Sequence, residues 1–293
     1  YRGEIISVPR SEGDARNISN NPAAADRAPV WSPDGKNIAW FSDASGEYQL
    51  MIGDQEGLEE PRVIALPAST FFFKPVWSPD SKNIAFTDTD YQLWIVDTET
   101  GAAKIADTDR FAHPNRSLNP VWSPDSKWVA YPRLLNSQFK AIFVYEIATG
   151  RQIQVTDGMA DAIAPIWDAG GEYLYFLAST DYGLSSGWLD MSSYDRPVTR
   201  HLYAAVLSKI GKSPFLPKSD EESTKENEEG EKKTEVAVQI DEEGLWNRIV
   251  AVDIPGKNYM DLIAAPENQV FIAENVPGES GWTLHRYDLA EKK

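Results

Sequence analysis

Extended segments in which side chains alternate between two faces recur along this chain, each closed by a cluster of turn residues. In residues 29–36, Val30 and Ser32 fall on one face of such a segment and Trp31 on the other, which predicts a strand whose indole packs between neighbouring sheets. Ser32-Pro33-Asp34-Gly35 then reads as a tight turn. Proline presets its own φ, and Asp-Gly tolerates the positive φ that short hairpins require; Asp80-Ser81 and Asp125-Ser126 are weaker versions of it. The chain returns through a second strand (37–41), matched by 83–86 and 128–131. A third strand follows (48–52, 92–96, 141–147), and an outer one after a Gly-containing turn, as at Gly101 and Gly150.

That four-strand pattern repeats. The phrase Pro-Val-Trp-Ser-Pro-Asp-(Gly or Ser)-Lys occurs at 29–36, 75–82 and 120–127, and a worn copy begins at Pro165, so the leading prolines lie 46, 45 and 45 residues apart. A β-rich repeat of this length with a tryptophan in each copy predicts an all-β fold, a β-propeller of four-stranded antiparallel blades of the WD40-like or TolB-like kind. The expected organisation is a single propeller over 1–293, with blades at 27–66, 73–106, 118–156 and 163–257. Outer strands of a preceding blade are expected at 1–20 and a partial blade at 258–293. Two outer strands plus three inner ones overfill one blade, so the expectation is a fragment of about five blades from a seven-bladed ring, with strand edges that the intact ring pairs.

Composition narrows the partners. At 293 residues and 42% hydrophobic content the chain can bury a sizeable core. A net charge of −17 without a basic stripe argues against nucleic acid, whose phosphates require clustered Lys and Arg. No segment approaches the roughly 20 apolar residues that span a bilayer, so no membrane partner is expected. The absence of cysteine removes disulfides and thiol chemistry without fixing a compartment.

One stretch departs from the 45-residue rhythm. After the fourth copy of the phrase come Met191-Ser192-Ser193-Tyr194-Asp195-Arg196-Pro197-Val198, an acidic tract, and Trp246-Asn247-Arg248-Ile249-Val250. With the repeated phrase, these segments make the whole chain resemble the second propeller of the tricorn protease family; the phrase alone is shared with many TolB-type propellers. The resemblance implies part of a large serine peptidase, in which two propellers precede a PDZ-like domain and the catalytic domains. The propellers of that family admit or release oligopeptides, and the assembled enzyme is a homo-oligomer that trims short peptides. The expected function is therefore non-catalytic gating or channelling of oligopeptides to a catalytic domain outside this chain. The implied partners are peptide substrates, the remaining domains of the parent peptidase and further copies of it. No catalytic residue, cofactor or metal is assigned. The alternatives are a TolB-like protein-binding propeller and the propeller of a prolyl-oligopeptidase-type peptidase. A cytoplasmic location is expected, with the periplasm as the alternative.

Several residues carry candidate chemistry. Gly183-Leu184-Ser185-Ser186-Gly187 matches a nucleophile pattern, but that pattern works at a strand-to-helix elbow and here reads as a polar loop. His113, His201 and His285 lie in different repeats without metal-ligand spacing. Asp88-Thr89-Asp90 and Asp107-Thr108-Asp109 read as turns, since they lack the glycine and distal glutamate of a calcium loop. The repeated Asp34, Asp80 and Asp125 read as turn residues. The candidates for contact with a peptide carboxylate are His113 and Arg116, in a loop before the first strand of a repeat, together with Arg133 and Arg200. Residues 219–235 hold eight acidic and three basic residues with almost nothing apolar, which predicts a flexible insertion.

Overall fold

A computed structural model describes residues 3–111, 118–182, 198–215, 236–265, 269–289 and 291–292. Its strands pair antiparallel with their chain neighbours throughout. β1 (Ile6–Ser7) and β2 (Arg16–Asn17) form a two-stranded ribbon. The first four-stranded sheet holds β3 (Arg27–Trp31), β4 (Asn37–Ser42), β5 (Gln49–Asp54) and β6 (Arg62–Ile64). The second holds β7 (Phe72–Trp77), β8 (Asn83–Asp88), β9 (Gln92–Asp97) and β10 (Ala103–Thr108). The third holds β11 (Val121–Trp122), β12 (Trp128–Leu134), β13 (Lys140–Glu146) and β14 (Gln152–Gln154). The fourth holds β15 (Asp161–Trp167), β16 (Tyr173–Ser179), β17 (His201–Val206) and β18 (Ile249–Ala251). A three-stranded sheet of β19 (Tyr259–Ala264), β20 (Gln269–Glu274) and β21 (Thr283–Asp288) follows. The chain divides into two compact units, 1–122 and 123–293.

The repeated phrase has a backbone logic. A proline cannot donate to a sheet ladder, so it belongs at an edge or a bulge. In β3, β7 and β15 the register shifts around the leading proline, and the preceding residue takes a positive φ: Ala28 (54°), Lys74 (50°) and Ala164 (51°). The turn that follows is held by its serine. Ser32, Ser78 and Ser123 donate Oγ–H to Asp34, Asp80 and Asp125 at 2.6, 2.5 and 2.6 Å. Each hydroxyl also accepts the N–H five residues on, at 3.0, 2.9 and 2.9 Å. The Ser32 hydroxyl and the Lys36 N–H hold the Asp34 carboxyl below the ordinary range. The residue after each aspartate sits at positive φ, whether it is Gly35 (73°) or Ser81 (62°) and Ser126 (61°).

The tryptophans of the phrase do not share one fate. Trp77 is 6% exposed and donates its indole N–H to the Val30 carbonyl at 3.2 Å, and Trp122 does the same to Val76 at 3.0 Å. Each indole thus docks on the first strand of the preceding repeat. The alternation predicts the same burial for Trp31, yet Trp31 is 49% exposed.

The second strand of each repeat is buried on both faces, as the run Ile84, Ala85 and Phe86 shows. In unit 1 the rings of Phe41, Phe72 and Phe86 lie 5.2 to 5.4 Å apart at the centre of a cluster with Trp77 and Trp94. In unit 2 Tyr175, Leu177, Leu202, Ile272 and Tyr287 lead an equivalent cluster.

Candidate functional site

The loop of His113 and Arg116, the Gly183–Gly187 pattern and the 219–235 tract lie outside the described residues. Arg133 and Arg200 are described, and each is held by its own neighbours. Arg133, on β12 opposite Ala141, lays its guanidinium 3.8 Å over the Phe143 ring of the adjacent strand. Arg200 precedes β17 and is 6% exposed. Its backbone exchanges hydrogen bonds of 2.8 and 3.2 Å with Lys257, and its Nη1 donates to the Tyr259 carbonyl at 3.0 Å. This ties the start of β17 to the start of β19.

Around Arg200 the strand ends gather polar groups. Asp161, at the start of β15 and fully buried, accepts the Lys140 N–H through Oδ1 at 2.9 Å. Lys140 Nζ lies 5.3 Å over the Tyr182 ring. Burial lowers the Arg200 pKa, opposed by the charge of Asp161 and by Tyr182 and Asp181. Arg200 Nε and Asp161 Oδ2 are both buried without a hydrogen-bond partner among the described residues. A donor and an acceptor thus remain unmet where the first and third strands of the fourth sheet begin.

Unit 1 carries a comparable arrangement, which no motif announced. Arg27 opens β3, and its guanidinium lies 4.3, 4.8 and 5.5 Å from the ring centroids of Tyr48, Phe71 and Phe73. Its Nε and Nη2, the edge that receives a carboxylate side-on, have no partner among the described residues. Asp26 beside it is buried with both carboxylate oxygens unpartnered. The aromatic run Phe71-Phe72-Phe73 was the one available sequence signal, and it reads equally well as core.

Other titratable groups are committed to structure. Both Asp88 oxygens are occupied, Oδ1 by the N–H groups of Asp90 and Gln92 and Oδ2 by the Trp94 indole at 2.8 Å. Glu274 accepts from Lys257 at 3.1 Å and lies 2.6 Å from His285 Nε2. No group of three or more His, Asp or Glu among the described residues is placed to hold a metal ion. Nor is any helix among them long and apolar enough to cross a membrane.

The family-selective segment around Arg248 proves to be a staple. Arg248 directs Nε to the Val206 carbonyl (3.0 Å), Nη1 to Glu243 (2.8 Å) and Nη2 to Leu207 (3.1 Å) and Asp241. It fixes the outer strand β18 after the long excursion from β17. Trp246, in the 3₁₀ turn Leu245–Arg248, donates its indole N–H to the Gln154 carbonyl at 3.1 Å and reaches the third sheet.

The chain matches the tricorn protease second β-propeller domain over residues 1–293. Among solved structures, tricorn protease superposes with a TM-score of 0.76 at 17% identity, over 100% of this chain and 28% of that one. Prolyl oligopeptidase B from Galerina marginata gives 0.53 at 16% identity, over 91% of this chain and 35% of that one. A TolB-type protein from Agrobacterium tumefaciens gives 0.51 at 15%, over 94% and 81%. No curated protein matches in sequence. The chain spans little more than a quarter of the tricorn protease chain it resembles. It is an all-β propeller domain, and it belongs to the family of the tricorn protease second β-propeller.

Proposed function

We propose that this propeller is the non-catalytic part of a tricorn-like serine peptidase and guides oligopeptides to a catalytic domain that this chain does not contain. The observation that carries the reading is the match to the second-propeller family along the whole chain, accompanied by the agreement in fold with tricorn protease. The unpartnered Nε and Nη2 of Arg27 and Nε of Arg200 support it, since guanidinium N–H groups donate to the backbone carbonyls and terminal carboxylates that peptides carry. His113, Arg116 and Arg133 are further proposed contacts. The working partners are oligopeptides, the other domains of the peptidase and further copies of it, in the cytoplasm.

The test compares substrates of two sizes in the full-length peptidase. Arg27→Ala and Arg200→Ala should lower kcat/KM for an oligopeptide while leaving a single-residue chromogenic amide unaffected, because only the longer substrate needs guiding. Equal effects on both substrates, or none on either, would sink the proposal. The isolated chain should hydrolyse neither.

A further inference from the structure

Between the third and fourth sheets of unit 2 lies a cleft of about 320 Å³, at the small end of the ligand-site range. One wall is aromatic. Phe176 and Tyr203 stack across β16 and β17 with ring centroids 5.7 Å apart and planes 14° from parallel, and Ile249 of β18 continues the surface. Trp246 closes one side, 54% exposed, yet its indole is fixed by the hydrogen bond to the Gln154 carbonyl. Met159 lies on the loop between β14 and β15, with most of its side chain in solvent.

The lining contains one charged residue, Asp157. Its Oδ1 accepts the Met159 N–H at 2.9 Å, which positions the carboxylate on that loop. The nearby cation Arg151 does not line the cleft; it faces Glu146 at 3.4 Å and Glu242 at 3.9 Å. The cleft therefore combines electron-rich ring faces, an adaptable thioether and a single negative charge, in a chain of net charge −17.

We infer that this cleft binds a basic side chain, arginine or lysine, presented by an extended peptide or protein segment. The aliphatic stem packs on Met159 and Ile249, the cation meets the rings of Trp246 and Tyr203, and Asp157 supplies the counter-charge. A purely apolar side chain would fill the same volume but would desolvate the Asp157 carboxylate without pairing it, which is unfavourable. An acidic one would meet like charge. Thr180, exposed at the margin, offers its hydroxyl to the peptide backbone, whereas Thr156 is buried with its hydroxyl accepting the Ile142 N–H at 3.0 Å.

The test uses the whole chain labelled with 5-fluorotryptophan, with Trp246→Phe identifying the Trp246 fluorine resonance. Capped Ala-Ala-Arg-Ala-Ala and its citrulline isostere, which keeps the shape and removes the charge, are titrated in turn. The arginine peptide should shift the Trp246 resonance saturably and bind at least tenfold more tightly than the citrulline peptide. Asp157→Asn retains the acceptor for the Met159 N–H and should bring the arginine peptide down to the citrulline level. Equal binding of both peptides, an unaltered Asp157→Asn variant, or an unmoved Trp246 resonance at millimolar peptide would each overturn the inference. The readout is binding to this chain alone, so its failure would leave the peptide-guiding role in the parent peptidase standing, and the reverse also holds.

Discussion

The second and fourth sheets make the same turn after their first strand by different means. In the second, Ser78 and Asp80 share the work: the hydroxyl receives the Asn83 N–H and the carboxylate receives the Lys82 N–H. In the fourth, Asp168 stands where the serine would be and does both jobs, accepting the Tyr173 N–H through Oδ1 at 2.6 Å and the Gly170 N–H through Oδ2 at 3.0 Å. The carboxylate has moved from the turn's solvent side to the strand end. There, burial raises its pKa despite the two N–H groups that favour the charged form, whereas Asp34, the turn carboxylate of the first sheet, is lowered.

The excursion between β17 and β18 explains the burial. Tyr173 donates its hydroxyl to the Lys212 carbonyl at 2.8 Å, and Phe215 packs on the cluster of Tyr175 and Leu202. On the return, Val238 is buried and donates its N–H to Asp125 at 2.9 Å. The turns at Asp34 and Asp80 are left in water, while the excursion from the fourth sheet packs over its own turn and bonds that of the third. The cost is a half-buried charge and dependence on Arg248 to anchor the outer strand.

The largest expected effect tests the regular half of this comparison. Trp77→Ala should destabilise the chain by about 3 to 5 kcal/mol, the usual cost of removing a buried large aromatic. Trp31→Ala, in the same phrase one repeat earlier, should cost well under half of that. Urea midpoints of the two variants decide it, and equal losses would mean that the indole-to-carbonyl docking is irrelevant.

Next comes the interrupted half. Arg248→Ala removes four charge-assisted hydrogen bonds to carbonyls, of which that of Leu207 keeps a second donor, the Asp241 N–H at 3.0 Å, and should cost about 2 to 3 kcal/mol, in line with hydrogen bonds to charged groups. Lysine should not rescue it, because a point charge cannot reproduce the guanidinium fork. Hydrogen exchange of β18 is the sensitive readout; full protection in Arg248→Ala would show that the strand needs no staple.

Smaller effects refine the turns. Ser81→Gly should stabilise by up to about 1 kcal/mol, since glycine relieves the positive φ at some cost in unfolded-state entropy and in the exposed hydrogen bond that the Ser81 hydroxyl accepts from the Asp34 N–H at 3.2 Å. Gly171→Ala should destabilise, because a Cβ there would meet Val238 Cγ2 at 2.7 Å on top of the strained φ. Thermal midpoints of the two variants should move in opposite directions.

The smallest effect is a pH dependence. The folded pKa of Asp168 is raised, so the folded state holds this proton more tightly than the unfolded one. Its contribution to stability therefore falls as pH rises from the ordinary aspartate range through the raised folded value. Asp168→Ser restores the hydroxyl found in the other three copies of the phrase and should remove that component. The difference in urea midpoint between variant and parent should thus favour the variant more at neutral pH than near about pH 4. A constant difference would contradict the burial argument.

Much of the fold was legible in the sequence because the repeat is a local code. Proline at the bulge, serine and aspartate in the turn, and apolar pairs in the second strand each act within a few residues, so periodicity alone announced four-stranded antiparallel sheets and the propeller class. The family followed from segments that break the repeat, around 191–198 and 246–250. The site was far less legible. Arg27 differs from any surface arginine only through Tyr48 and Phe71, which lie 21 and 44 positions away and reach it by sheet pairing. Arg200 was singled out in the sequence, but its burial and its bond to Tyr259 were invisible there.

The sequence by itself determined the repeating element, its turns and the family, because backbone preference and alternation are short-range. Only the tertiary structure decided which tryptophan is buried, which aspartate carries an unfavourable charge, and that Trp246, Phe176 and Asp157 enclose one cleft. Those outcomes depend on which segments pack together across many tens of residues, and burial and electrostatic environment exist only once they have done so.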